Sequence, residues 1–230
     1  MLLDLLFPPR CPACDALCAE LGLCHRCALS LYPLGAACPA CALPSRAPVV
    51  CARCRLWPPP WQTVRVPWRY GGELAVAIRR FKWGARGRAG RPELARPLAQ
   101  LAVPALAGVD AEVVVPVPLH ASRLAERGFA QALSLASHAV SLARLGAPVA
   151  HDVLVRQRAT AEQAGLARAA RIANVAGAFA VTDAARVRGR HVLLVDDVVT
   201  TGATAAACTR ALRRAGARAV TVAALARAEG

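Results

Sequence analysis

Two groups of residues in this 230-residue chain are suited to chemistry: eight paired cysteines before position 55 and two adjacent carboxylates near the C-terminus. The cysteines form four C-x-x-C pairs, Cys11/Cys14, Cys24/Cys27, Cys38/Cys41 and Cys51/Cys54, with gaps of 9, 10 and 9 residues between them. Such regular spacing reads as a duplicated two-knuckle unit. A C-x-x-C turn points two thiolates at one centre, and two such turns complete a tetrahedral four-cysteine zinc site. Two structural zinc ions are therefore expected. Pairing in sequence order puts Cys11, Cys14, Cys24 and Cys27 on one ion and Cys38, Cys41, Cys51 and Cys54 on the other; an interleaved pairing fits the spacing as well. A disulfide framework would need an oxidising compartment. The N-terminal MLLDLLFPPR does not read as a signal peptide, because its apolar run is short, broken by Asp4 and stopped by Pro8 and Pro9. A cytoplasmic location is the expectation. A thioredoxin-like role would require a C-x-x-C beside a βαβ pattern, which the head lacks. Cys18 and Cys208 stand outside the pairs and read as small apolar packers.

The second group lies in VLLVDDVVTTGAT, residues 192–204. Aliphatic residues lead to Asp196 and Asp197, then to Val198, Val199, Thr200, Thr201, Gly202, Ala203 and Thr204. Two like charges at the end of a core strand are unfavourable unless something nearby compensates them. A glycine turn that opens a helix offers backbone N–H groups and threonine hydroxyls to a phosphate. The carboxylates then suit vicinal ribose hydroxyls, directly or through Mg²⁺. No G-x-x-x-x-G-K-[ST] run is present, so a nucleoside-triphosphate P-loop is excluded. Helix capping by Thr and Asp would explain one or two of these residues but not their combination.

These groups need elements to hold them. A chain of this length can form one well-packed domain and a small satellite. Sixty residues bury little core, so metal binding would supply folding energy to the head. WPPPW, residues 57–61, reads as a stiff extended connector, which places the boundary between a head, 1–60, and a larger domain, 61–230. Beyond Thr63, short apolar strands alternate with Ala/Leu-rich helices, implying a parallel sheet covered on both faces. Strands are expected over 64–70, 112–117, 152–155, 179–182, 191–195 and 219–225, and helices over 73–81, 93–106, 129–145 and 203–215. Ligands of such sheets sit beyond the carboxyl ends of strands, where Asp196 and Asp197 would lie. No run of about 18 uncharged apolar residues occurs, so no membrane span is expected. The net charge is +15, of which the first 60 residues carry +2. That suggests an anionic partner, nucleic acid or a phosphorylated metabolite, although an Ala/Arg-rich composition with one lysine, Lys82, would also give it.

VLLVDDVVTTGAT resembles the 5-phosphoribosyl-1-pyrophosphate (PRPP) binding loop of type I phosphoribosyltransferases. The four C-x-x-C pairs, PPPW, FKWG around Lys82, VPVPLHASRLAERGFAQ and RQRATAEQAGLARAARIANVAGAF resemble, in order, blocks of the ComF/GntX family of double-zinc-ribbon proteins. One departure is Ala130, where the family pattern R-G-F-N-Q has asparagine. The resemblance implies an α/β architecture: a parallel-sheet type I phosphoribosyltransferase fold preceded by a small four-cysteine zinc-ribbon domain. It implies a pyrophosphate-side loop bearing Arg123 and Arg127, whose guanidinium forks suit phosphate oxygens, and a phosphate contact from Lys82. Residues 156–174 resemble the mobile catalytic loop that closes over PRPP. Arg158 and Arg171 then join Asp196 and Asp197 as catalytic candidates, while Arg171 and Asn174 serve equally as anchors for the loop's return. GARGRAGR, residues 84–91, lacks G-x-G-x-x-G spacing and reads as a flexible basic turn.

Two functions fit. One is a ComF-like PRPP-binding protein that handles single-stranded DNA, with DNA-uptake proteins as partners, in natural competence. The other is an active phosphoribosyltransferase that moves ribose 5-phosphate from PRPP to a nitrogen base, with Mg²⁺ and the arginines stabilising pyrophosphate. No base-binding hood with a readable specificity pocket is evident, which favours the first. A nucleotide in place of PRPP, and self-association into a homo-oligomer, are compatible with either.

Overall fold

The computed structural model describes residues 8–84, 89–158 and 174–228. The cysteine-rich head is duplicated in space as well as in sequence. A shift of 27 residues, the distance from Cys11 to Cys38, carries each cysteine of the first unit onto one of the second. The same shift carries the Arg10–Leu17 bridge onto Ala37–Pro44, and the left-handed Asp15 onto the left-handed Ala42. In each unit the second C-x-x-C opens a short helix, α1 (His25–Ala28) or α2 (Ala52–Leu56), with its first cysteine at the N-cap.

The larger part follows as β1 (Thr63–Arg65), β2 (Trp68–Arg69), α3 (Gly72–Lys82), α4 (Ala95–Leu106), β3 (Val113–Pro116), α5 (Ala121–Arg127), α6 (Gln131–Leu142), β4 (Leu154–Arg156), β5 (Phe179–Val181), β6 (His191–Val199), α7 (Ala203–Arg214) and β7 (Ala219–Arg227). The main sheet has the order β1-β7-β6-β3, with β2 also on β7, and every pairing in it is parallel. A parallel sheet is buried on both faces, so its central strands are continuous apolar runs. Alternation along β6 sends Val192 and Leu194 into one core with Cys208 and Leu212 of α7, and Leu193 and Val195 into another with Leu98 and Leu135.

Four expectations change. The strand expected over 64–70 is two strands, because Pro67 has no N–H for the ladder; its carbonyl instead accepts from the head's Leu34 N–H at 2.8 Å. The segments expected as parallel strands over 152–155 and 179–182 lie off the main sheet and pair with each other antiparallel, Leu154 opposite Val181. A chain that goes out and returns can pair that way without a crossover helix. β6 continues to Val199 instead of ending at 195, since β7 keeps pairing with it as far as Arg227. The segment expected as a loop bearing Arg123 and Arg127 contains helix α5, capped by His120, whose Nδ1 accepts from the Ser122 N–H at 3.3 Å.

The head is fastened to the larger part by specific bonds. Gly71 at the N-cap of α3 has no side chain to cap it, and Ser30 Oγ of the head accepts from the Glu73 N–H at 3.0 Å. Arg80 of α3 donates to the carbonyls of Pro12 and Ala13 and pairs with Asp15, which Arg91 also reaches at 3.0 Å. Among the described residues no helix is long and apolar enough to cross a membrane.

Candidate functional site

The eight paired cysteines form two clusters, and the grouping follows sequence order: Cys11, Cys14, Cys24 and Cys27, then Cys38, Cys41, Cys51 and Cys54. Within each cluster all sulfurs lie within 4.8 Å of one another. The Cys14–Cys24 and Cys41–Cys51 sulfurs are 3.7 and 3.9 Å apart. A tetrahedron with metal–sulfur bonds of about 2.3 Å has edges of about 3.8 Å, so both clusters fit zinc. One ligand in each is already acidified. The Ala16 N–H is the largest influence on the Cys14 thiol, which is lowered to about 7. Burial raises Cys38, but the N–H groups of Cys51, Ala40 and Cys41 outweigh it and bring that thiol to about 7 as well.

The second site opens where β6 outruns β3. The two strands pair as far as Pro116 opposite Val195, with the Val117 N–H donating to the Val195 carbonyl at 2.9 Å. Beyond that point β6 borders a cavity of about 490 Å³. Strand alternation gives Asp196 and Asp197 different neighbours. Asp197 is buried on the α3 side, where Lys82 Nζ lies 2.7 Å from its Oδ2. Asp196, half-buried at the cavity wall, shares its side of the sheet with Arg156 and Cys208, and its Oδ1 accepts from the Asp197 N–H at 2.9 Å. Burial, and next the charge of Asp197, push the Asp196 carboxyl up to about 7 against the opposing pull of Lys82.

After Val199 the chain turns through Thr200, Thr201 and Gly202 into α7. Gly202 has φ +79°, and a Cβ there would stand 3.0 Å from the Trp61 ring, so no other residue fits without strain. The first-turn N–H groups of a helix have no acceptor within the helix, so this end has the donors that a phosphate would need. Val198, Val199, Thr200, Gly202, Ala203 and Thr204 line the cavity; Thr201 does not, its Oγ1 accepting from the Ala203 N–H at 3.3 Å.

Lys82, Arg123 and Arg127 also line the cavity. Arg123 pairs with Glu126 at 2.7 Å, and Arg127 lies 4.8 Å from the Trp83 ring and donates to Gln131 Oε1 at 3.0 Å. Tyr70, Trp83, Gln131 and Arg156 also line the wall; sequence reasoning singled out none of the first three as a ligand contact and met Arg156 only as the first residue of the segment expected to close over PRPP. Gln131 is the most informative. It is 2% exposed, the bond from Arg127 fixes which amide end is oxygen, and its Nε2 has no hydrogen-bond partner among the described residues. A buried donor left unpaired is costly, and an oxygen in the cavity would satisfy it. A search weighted towards charge passes over such a residue, although it is the last residue of the block that carries Arg123 and Arg127.

Models of known families match both parts of the chain: the double zinc ribbon domain over residues 2–55 and the phosphoribosyl transferase domain over residues 102–230. Relatives match along nearly the full length. The DNA utilization protein YhgH of Salmonella typhimurium is 34% identical over 205 residues, 87% of this chain and 88% of that protein. Its Escherichia coli K12 counterpart is 34% identical over 210 residues, with the same coverage. Competence protein F of Haemophilus influenzae is 32% identical over 189 residues, 77% of this chain and 78% of that protein. The chain belongs to the ComF family.

In this ComF-family chain the stretch between the two matched regions contributes to the cavity, for it carries Tyr70, Lys82 and Trp83. Arg158 lies away from the cavity wall and donates to the carbonyls of Asn174 and Ala176 at 3.0 and 2.9 Å, bonds that fasten the two flanks of residues 159–173. Arg171 falls outside the described residues. Ala130, the departure from the family's R-G-F-N-Q pattern, is the N-cap of α6 and makes no side-chain cap bond.

Proposed function

We propose that this protein binds PRPP, or a nucleotide carrying the same ribose 5-phosphate, in the cavity at the end of β6 and handles single-stranded DNA during uptake. The observation that carries the reading is the composition of the cavity lining. A helix-opening turn, the carboxylates Asp196 and Asp197, and the cations Lys82, Arg123 and Arg127 line a single volume of about 490 Å³. A phosphate needs donors, vicinal hydroxyls need acceptors and a pyrophosphate needs cations; each has a candidate within that wall. Asp196, with Mg²⁺ supplied alongside PRPP, is the carboxylate best placed to hold the sugar, since Asp197 is already paired with Lys82. Zinc in the two four-cysteine clusters would be structural. The DNA role draws on the names of the relatives and on the charge of +15.

The test is thermal stabilisation by PRPP, which a specific ligand raises by mass action. Wild-type protein should melt at a higher temperature with PRPP, and Asp196→Asn should lose that shift while keeping its zinc. An undiminished shift in the variant would remove the carboxylate from the site. Pyrophosphate release from PRPP across a panel of nitrogen bases then separates a transferase from a binding protein.

A further inference from the structure

The second zinc ribbon touches the phosphate turn through two side chains. Arg227, at the end of β7, is 2% exposed, and its Nε donates to the Cys41 carbonyl of the second ribbon at 3.1 Å. From the same guanidinium, Nη1 donates to the Val199 carbonyl at 3.2 Å, the last residue of β6 before the turn, and to the Ala228 carbonyl. Trp61 makes a parallel link. Its Nε1 donates to the Ala40 carbonyl at 2.7 Å, inside the C-x-x-C turn of Cys38 and Cys41, while its ring closes on Gly202. One zinc knuckle is thus bonded to one side chain that holds the start of the phosphate turn and to another that packs on its glycine. A surface linker would not bury a guanidinium among main-chain carbonyls, so the arrangement fixes relative position.

We propose that Arg227 and Trp61 are positioning residues through which the second ribbon sets the geometry of the phosphate turn. Order in the Cys38–Cys41–Cys51–Cys54 cluster and ligand affinity in the cavity are then linked, and linkage is reciprocal: whatever one site gains from the other, it returns. The inference rests on the reading of the cavity as a PRPP site.

Three measurements on the full-length, zinc-loaded protein test it: PRPP affinity by calorimetry, the rate at which a colorimetric chelator removes zinc, and hydrogen exchange in peptides from residues 38–54. With PRPP bound, one zinc should leave about fivefold more slowly, the lower end of common coupling strengths, and amides of residues 38–54 should exchange more slowly. Arg227→Met keeps an apolar stem but removes the donors. It should weaken PRPP binding about tenfold and abolish the protection of the second ribbon. Trp61→Phe is the milder variant should the first fail to fold; it keeps a ring against Gly202, removes the bond to Ala40, and should reduce the protection. PRPP binding to wild type with unchanged zinc release and exchange in the second ribbon overturns the coupling and leaves the site reading intact. Full protection in both variants overturns the roles of Arg227 and Trp61. Absence of PRPP binding to wild type overturns the site reading itself, and the coupling with it.

Discussion

The pleat of β6 gives neighbouring carboxylates different surroundings, and their chemistry diverges accordingly. Asp197 has Lys82 at 2.7 Å, both largely buried, so removing either partner strands a charge at a cost of about 3–5 kcal/mol. Asp197→Asn therefore tests folding as much as binding, and Asp196 is the cleaner probe. Its carboxyl stands at about 7 against an ordinary 3.8, raised by burial and by the charge of Asp197. Below pH 4 it is protonated in both folded and unfolded chains and adds no pH dependence. Between pH 4 and 7 only the folded chain keeps the proton, so stability falls as pH rises through that window, and the full cost is present above it. A ligand hydroxyl needs the ionised acceptor. PRPP affinity, measured without added divalent cation, should therefore rise as pH passes from 6 to 8 and then level off. In Asp196→Asn the part of that rise due to the protein should vanish, leaving only the titration of PRPP's own phosphates; an identical profile in the two proteins would dissociate Asp196 from binding.

Helix ends and close approaches, not apolar periodicity, decide how the elements deliver these residues. At the N-cap of α6 stands Ala130, a poor cap, where asparagine is a good one worth about 1 kcal/mol. Ala130→Asn should raise the melting temperature by about 2–4 °C for a chain of this size, with PRPP affinity unchanged if capping is all that the asparagine supplies. Gly90 packs against the end of α3, beside Lys82. A Cβ there would overlap the carbonyl oxygens of Phe81 and Lys82 and the Phe129 ring. Gly90→Ala should thus push the end of α3 away from Phe129, destabilising the fold by about 1–3 kcal/mol and lowering PRPP affinity by moving Lys82; equal affinity in the variant would show that Lys82 tolerates the shift. These features mark what was legible. The alternation of strands with helices, the apolar run of 192–195 and the cysteine spacing are local patterns, and β3, the start of β6, β7, the helices α3, α4, α6 and α7 and the two cysteine clusters stand where those patterns put them. Continuation of β6 through two aspartates was not legible, because it depends on pairing with β7, and α5 was hidden by a polar, arginine-rich sequence whose cap is a histidine. The antiparallel β4–β5 pair looked like two more parallel strands, since strand direction leaves no trace in composition.

At the scale of the whole molecule, the bonds that matter most join residues far apart in the chain, and spacing could not reveal them. Arg227 and Cys41 are separated by 186 residues, and Ser30 caps a helix 43 residues away. The head carries its own family match and its own four-cysteine clusters, yet it shares packing and hydrogen bonds with the larger part. Cys11 and Cys27 lie in the same apolar cluster as Leu74, Ile78 and Phe81 of α3, and Arg80 reaches the backbone of the first knuckle. Stripping zinc should then do more than melt sixty residues. It would remove the cap on α3, release Arg80 and Arg91 from Asp15, and free the phosphate turn from Cys41. Structural zinc sites contribute several kcal/mol or more to folding, and each kcal/mol moves the melting point of a chain of this size by about 2–4 °C. Calorimetry of the zinc-loaded protein should give one unfolding transition, and a strong chelator should shift that transition down by about 10 °C or more. Two transitions, with only the smaller one sensitive to chelator, would mean that the ribbons and the sheet unfold independently and that the bonds joining them carry no cooperativity.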